Sequence, residues 1–273
     1  MLLLNNTPVN ITIFPDKTSQ VWKLTEGLVK EYNIIRWEWR FEDNSEGELF
    51  HVLQLCTLIR VVKPGSYIVL DCPYLPWARQ HKEISNETTF ALHIFCDIIE
   101  YYINELVTFD VHNVDFFYKE TTKAGYANQS TATRKSRWEF KLTNFLPEKE
   151  IKRCMDAEGI NLVVFPDESA QKRYSSLVSA PYISIEKERD QLTGEITGMI
   201  MPDIPEGKNI LVVDDLIDGG AGVIIAAGKI NQYKPYKLIG YFSHCICSKG
   251  TKIIHNAGFS KLYDKNGLYS NDT

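Results

Sequence analysis

Five short apolar runs, each breaking off at an acid or a histidine, constrain this chain more than any other feature. They are Tyr67–Leu70, Leu106–Phe109, Asn161–Phe165, Asn209–Val213 and Lys237–Phe242. Runs so short and so continuous fit strands buried on both faces. Helical stretches lie between several of them. The clearest is Thr89–Glu105, where Phe90, Ile94, Ile98 and Tyr102 recur at i, i+4, i+8 and i+12, with Asn86 or Thr88 as cap. Strand alternating with helix predicts α/β layers around a mainly parallel sheet. The first run leads to Asp71 and then Arg79-Gln80-His81-Lys82. The second ends at Asp110 and His112, the third at Asp167, the fourth at Asp214 and Asp215, the fifth at His244. Open α/β sheets bind ligands outside the carboxyl ends of their strands. One Asp after a strand is ordinary turn or cap chemistry; five polar strand ends in one chain predict a site.

Composition narrows the class. Of 273 residues, 44% are hydrophobic and 24% charged, which suits a globular fold with ample core. The net charge of −5 argues against coating nucleic acid. Of six cysteines only Cys245 and Cys247 are close, and no C-x-x-C pair exists, so free thiols in a reducing cytoplasm are expected rather than zinc ligands or disulfides. The opening MLLLNNTPVN lacks a basic, long apolar leader, and no uncharged apolar stretch approaches the roughly 20 residues of a membrane span. Lys119–Glu148 breaks the strand–helix alternation and contains Phe145-Leu146-Pro147, which places a domain boundary between 1–145 and 146–273. Tyr182–Glu188 and Glu195–Met201 alternate apolar and polar around Arg189–Gly194, the pattern of a β-hairpin with a charged tip.

The strongest motif is Asn209-Ile-Leu-Val-Val-Asp214-Asp215-Leu-Ile-Asp218-Gly219-Gly220-Ala221-Gly222-Val223. An apolar strand runs into two acids, then a glycine-rich loop, then a helix from about Val223. The acids can accept hydrogen bonds from ribose hydroxyls or hold Mg²⁺. The loop and helix start offer backbone N–H groups to a phosphate. The combination suits a sugar phosphate, against the plainer reading of a β-turn-α connection with capping acids.

This string resembles the phosphoribosyl-diphosphate (PRPP) motif of type I phosphoribosyltransferases and PRPP synthetases. Pro73-Tyr-Leu-Pro-Trp-Ala-Arg79-Gln80 is similar to the PRPP-synthetase segment that carries an Arg-Gln pair for ATP, and Asp110-Val-His112 to its metal-binding histidine. Phe165-Pro-Asp167 resembles its ribose-phosphate loop, and Lys187 and Arg189 match the Lys and Arg of its flexible catalytic loop. The segments follow the family's order over about residues 67–250. The resemblance implies two similar type I phosphoribosyltransferase-like (Rossmann-like) α/β halves with mainly parallel sheets. It implies transfer of the terminal diphosphate of ATP to the anomeric hydroxyl of a ribose 5-phosphate group, with AMP released. Lys187 and Arg189 are then catalytic; Arg79, Gln80, His81, Lys82, Phe41 and Asp43 bind ATP; Asp214, Asp215, Asp218, Gly219, Gly220, Ala221 and Gly222 bind ribose and phosphate; His112 and Asp167 hold Mg²⁺.

Two departures refine this. Gly219 and Gly222 stand where the family carries threonines that bind a terminal 5-phosphate. With E-R-D-x-x-T-G in the hairpin, the D-G-G loop resembles phage-encoded PRPP-synthetase-like proteins linked to NAD⁺ salvage, so ADP-ribose is expected as acceptor, with ribose 5-phosphate the alternative and a PRPP-consuming transferase a third reading. That subgroup implies the cytoplasm of an infected bacterium. The family's F-P-D-G-E adenine loop is replaced near Trp39-Arg40-Phe41-Glu42-Asp43. Because that loop reaches a neighbouring subunit's ATP, a homo-oligomer built on dimers is expected, with no nucleic-acid or membrane partner.

Overall fold

The computed structural model describes residues 1–4, 6–22, 33–41, 45–80, 89, 91–113, 140–189 and 196–269. The chain divides into two compact units, Met1–Phe145 and Leu146–Thr273. Each has a six-stranded, mainly parallel sheet among its described residues.

The first unit runs β1 (Leu2–Leu4), β2 (Thr7–Pro8), β3 (Ile11–Ile13), β4 (Ser19–Val21), β5 (Ile34–Trp39), α1 (Ser45–Val62), β6 (Tyr67–Asp71), α2 (Ala91–Ile99), β7 (Glu105–Phe109) and β8 (Lys141–Phe145). Sheet order is β2-β1-β5-β6-β7-β8, with β5 to β8 parallel and β1 antiparallel to β5; β3 and β4 form a separate ribbon. β5 alternates, burying Ile35, Trp37 and Trp39 and exposing Ile34 and Arg36, whereas the middles of β6 and β7 are buried throughout. α1 packs Val52, Leu55, Cys56 and Ile59 inward at i, i+3, i+4 and i+7. Burying each such side chain contributes about 1.5–3 kcal/mol. The helix expected over Thr89–Glu105 is shorter and turns a different face inward. Leu92, Phe95, Cys96 and Ile99 are buried while Ile94 is exposed; Phe90 lies outside the described residues. Repeated steps of four drift around a helix by about 40° each, so they trace a spiral rather than one face. Glu105 opens β7 instead of closing the helix.

The second unit contains α3 (Glu148–Glu158), β9 (Leu162–Phe165), α4 (Glu168–Tyr174), β10 (Tyr182–Ser184), β11 (Glu186–Arg189), β12 (Ile196–Ile200), β13 (Asn209–Ile217), α5 (Ala221–Asn231), β14 (Lys237–Cys245), α6 (Lys252–Asn256), β15 (Lys261–Asp264) and β16 (Gly267–Leu268). Sheet order is β10-β9-β13-β14-β15-β16, parallel except for β16. The pleat sorts its side chains. Val163, Phe165, Leu211, Val213, Ile239 and Tyr241 pack against α3 and α4; Leu162, Val164, Ile210, Val212, Leu238 and Phe242 pack against α5 and α6. Gly240 is required between them, because a Cβ there would sit 2.5 Å from Phe242 Cε2.

Three expectations are corrected here. β13 and β14 run on to Ile217 and Cys245, so the two acids and His244 lie within strands. Tyr182–Ser184 joins the main sheet beside β9, and the hairpin is confined to Glu186–Arg189 and Ile196–Ile200. α5 starts at Ala221, so Ala221 and Gly222 form its first turn rather than a loop.

Candidate active site

In the second unit the sheet order reverses between β9 and β13, the switch point at which an open α/β sheet leaves a crevice. Asp167 follows β9 and caps α4 from an extended backbone, its Oδ1 accepting the Ala170 N–H at 3.0 Å. Asp214 and Asp215 lie in the neighbouring strand β13, two residues before its end at Ile217, and Asp214 Oδ1 accepts the Asp215 N–H at 2.9 Å. Asp215 is 7% exposed. Burial first, then the charges of Asp215 and Asp167, push the Asp214 carboxyl well above the usual range. The fold thus brings Asp167 to the Asp214-Asp215 pair, from which the sequence separates it widely.

The chain after β14 braces the next residues. Ile217 O accepts the N–H groups of Ile246 at 2.9 Å and Cys247 at 3.3 Å, and Asp218 Oδ1 accepts the Ser248 N–H at 3.1 Å. Gly220 then adopts φ 71°, and no side chain caps the α5 N-terminus it opens. A Cβ at Gly220 would meet Ile254 Cδ1 at 2.5 Å, so glycine is demanded twice there. Gly219 and Gly222 differ: a Cβ on either would meet nothing within 4 Å. Uncapped N–H groups at a helix start, beside open space, suit an anion. The hairpin leaves the sheet next to Asp167, since Ile185 N–H donates to Phe165 O at 2.9 Å. Lys187 pairs with Met199, and Arg189 with Ile196 across a register shift.

In the first unit the sequence-expected groups gather at the carboxyl edge of one sheet. At the end of β6 Asp71 is held by Arg36; beyond it Cys72 N–H donates to Val107 O at 2.8 Å, and Pro73 O accepts the Phe109 N–H at 3.2 Å. The segment is anchored by buried Leu75, Pro76 and Ala78. Trp77, at φ 63°, lies against Phe95 with ring centroids 5.4 Å apart. That anchoring leaves Arg79 and Gln80 exposed. Phe41, after β5, lies against Tyr74 at 5.4 Å between centroids, a residue of the Pro73–Gln80 segment to which the motif gives no role. After β7, Asp110 is fully buried at φ 52°, and half-buried His112 follows. Asn144 on β8 braces this bend, and sequence reasoning missed it as well. Asp43, His81 and Lys82 lie outside the described residues.

Among the described residues no three His, Cys, Asp or Glu side chains enclose a metal. Mg²⁺ does not require that. It takes one or two carboxylates and completes its shell with phosphates and water. The Asp167–Asp214–Asp215 group supplies hard oxygens whose mutual repulsion a cation would relieve, so the donor set fits. No described helix is long and apolar enough to cross a membrane.

No family model matches the chain. It is similar to the ribose-phosphate pyrophosphokinase of Pyrococcus abyssi, 24% identical over 251 residues, covering 89% of this chain and 78% of that one. The Saccharolobus solfataricus protein of the same name is 22% identical over 232 residues, covering 81% and 73%. That of Sulfurisphaera tokodaii reaches 32% over 137 residues, covering 48% and 46%. The solved phosphoribosylpyrophosphate synthetase of Mycobacterium smegmatis superposes over 97% of this chain and 82% of its own, with a TM-score of 0.70 and 14% identity, a likeness of fold. The chain is thus homologous to ribose-phosphate pyrophosphokinases.

Proposed function

We propose that this chain is an ATP-dependent diphosphokinase that moves the β,γ-diphosphate of ATP to the anomeric hydroxyl of a ribose 5-phosphate group and releases AMP. The observation that carries this reading is a similarity to ribose-phosphate pyrophosphokinases long enough to take in both units. The switch-point geometry supports it: Asp214 and Asp215 can accept from ribose hydroxyls, and the α5 N-terminus can receive the 5-phosphate. Arg79, Gln80 and Phe41, with His81, Lys82 and Asp43, hold ATP, the Arg79 fork suiting phosphate or an adenine face. Lys187 and Arg189 close over the transferring diphosphate, where positioning and charge neutralisation dominate. His112, through water, and Asp167 would each serve as a Mg²⁺ ligand in its own unit, and the ion would offset phosphate charge when bound. The smallest active unit in this reading is a dimer.

Ribose 5-phosphate is the first acceptor, in keeping with the relatives' name. One observation favours ADP-ribose as a second: the space at Gly219 and Gly222, where hydroxyls that would bind a terminal phosphate are absent and an esterified phosphate has room. ³¹P NMR of the protein with Mg²⁺ and ATP, adding either acceptor in parallel, tests both readings. AMP and a new anomeric diphosphate are expected with at least one; neither product with either acceptor would sink the diphosphokinase. If the open loop selects the longer acceptor, Gly219→Thr with Gly222→Thr should lower kcat/KM for ADP-ribose and raise it for ribose 5-phosphate, a swing of about 10- to 100-fold for the ~1–3 kcal/mol that donated hydrogen bonds contribute. An unchanged ratio would remove ADP-ribose from consideration.

A further inference from the structure

Asp110 is a residue other than glycine in the left-handed region, and it is 0% exposed. Such a conformation costs about 1–3 kcal/mol and persists only where the surroundings dictate it. Here β8 contributes to that constraint. The parallel register sets Thr108 opposite Asn144 and Phe109 opposite Phe145. The Asp110 N–H donates to Phe145 O at 2.8 Å. Asn144 Oδ1 accepts from the Thr108 hydroxyl at 3.0 Å and from the Val111 N–H at 3.0 Å. A single side-chain oxygen therefore grips the chain on both sides of the strained residue. Thr108 and Val111 are themselves buried, at 1% and 4% exposure, so neither bond is easily replaced by water. Asparagine is depleted in strands because it packs poorly on a pleated surface. At this position its carbonyl supplies what the bend requires, and His112 is the next residue after the clamped Val111.

We propose that Asn144 is a positioning residue for His112: its side-chain carbonyl fixes the Asp110–Val111 turn that presents the imidazole beyond the strand end. The inference rests on the reading above that His112 is a Mg²⁺ ligand.

The test is Mn²⁺ binding to the full chain in the presence of ATP, followed by electron paramagnetic resonance. Asn144→Ala, Asn144→Asp, Thr108→Val and His112→Ala are compared, with circular dichroism reporting folding. Groups that orient a metal ligand typically alter affinity about 10- to 100-fold. Asn144→Ala should weaken Mn²⁺ binding by about ten-fold, at the low end of that range, with KM for ribose 5-phosphate unchanged. Asn144→Asp retains the accepting oxygen and should bind Mn²⁺ like the parent. Should Asn144→Ala not fold, Thr108→Val decides: a partial loss of Mn²⁺ affinity supports the proposal and parental affinity overturns it. If His112→Ala weakens binding and Asn144→Ala does not, the positioning role fails while the metal reading stands. If His112→Ala leaves binding intact, the metal reading fails and the proposal with it. A matching rise in KM for ribose 5-phosphate would mark general damage and overturn the specific role.

Discussion

Asp214 is a buried acid crowded by other acids. Burial and two neighbouring carboxylates disfavour its ionised form. A carboxyl whose folded pKa is raised adds stability that is complete below the ordinary Asp value of about 3.9. That stability is lost as pH rises through the folded value. As pH climbs above that ordinary value the protein therefore bears a growing share of the cost of ionising this buried carboxyl. Asp214→Asn carries no charge, and its amide oxygen can still accept the Asp215 N–H. Thermal denaturation should give the variant a melting temperature about 2–4 °C higher at pH 8, the size that ~1 kcal/mol produces in a chain of this length. The gap should close near pH 3.5. A lower melting temperature at pH 8 would mean that repulsion does not govern this residue. The acids themselves are legible in the sequence because each follows an apolar run. Their mutual electrostatics are not, since Asp167 and Asp214 meet only once β9 and β13 pair. Asn144 is hidden for the same reason: its partners lie on a different strand.

At the scale of elements, the end of α3 ties the amino ends of two strands together. Glu158, 4% exposed, receives Lys261 Nζ at 2.7 Å, the Tyr263 hydroxyl at 2.6 Å and Lys237 Nζ at 3.3 Å. Burial alone would raise its pKa, but the bonds from Lys261, Tyr263 and Lys237 hold the carboxyl below the usual range. A lowered carboxyl contributes stability above its unfolded pKa and loses it as pH falls through the folded value. Glu158→Gln should lower the unfolding free energy at pH 7 by about 1–3 kcal/mol, since both lysines can partly rehydrate. The difference should shrink as pH falls below the ordinary Glu value of about 4.3, and so be smaller at pH 3. Urea denaturation at the two pH values checks this, and equal stability at pH 7 would show the knot to be dispensable. Each of the five apolar runs corresponds to a strand, because continuous burial needs no partner to be read. The short strands β1, β2 and β16 are not legible in the sequence; each holds only two or three residues, too few for a periodicity. β10 was assigned to the hairpin because alternation cannot say which neighbour a strand chooses, and it pairs in parallel with β9. The start of α5 was set late because Ala221-Gly222 looks like loop chemistry, whereas Gly220 alone makes the turn.

For the whole molecule, the division follows the cores. The apolar cluster of the first unit draws on residues from Leu2 to Leu142, and the two clusters of the second on residues from Ile151 to Tyr269, so no core side chain among the described residues belongs to both. The boundary after β8 severs no strand or helix. A domain of roughly 130 residues buries about two-thirds of its unfolded surface, enough to fold alone. The second unit also keeps the features that fix its switch point: both faces of its sheet are covered by its own helices, and the Glu158 knot is internal. Residues 146–273 made alone should therefore unfold in one cooperative thermal transition and give a dispersed amide spectrum. Arg79, Gln80, Phe41 and His112, which the proposed function assigns to ATP and metal, belong to the other unit, so on that proposal this fragment should form no AMP from ATP with either acceptor. Saturable binding of ribose 5-phosphate, visible as shifts of the Asp214–Gly222 amides, should survive. A fragment that is cooperative but shows no such shifts would place the acceptor's main contacts outside this unit; one that does not fold would mean that the second unit depends on the first.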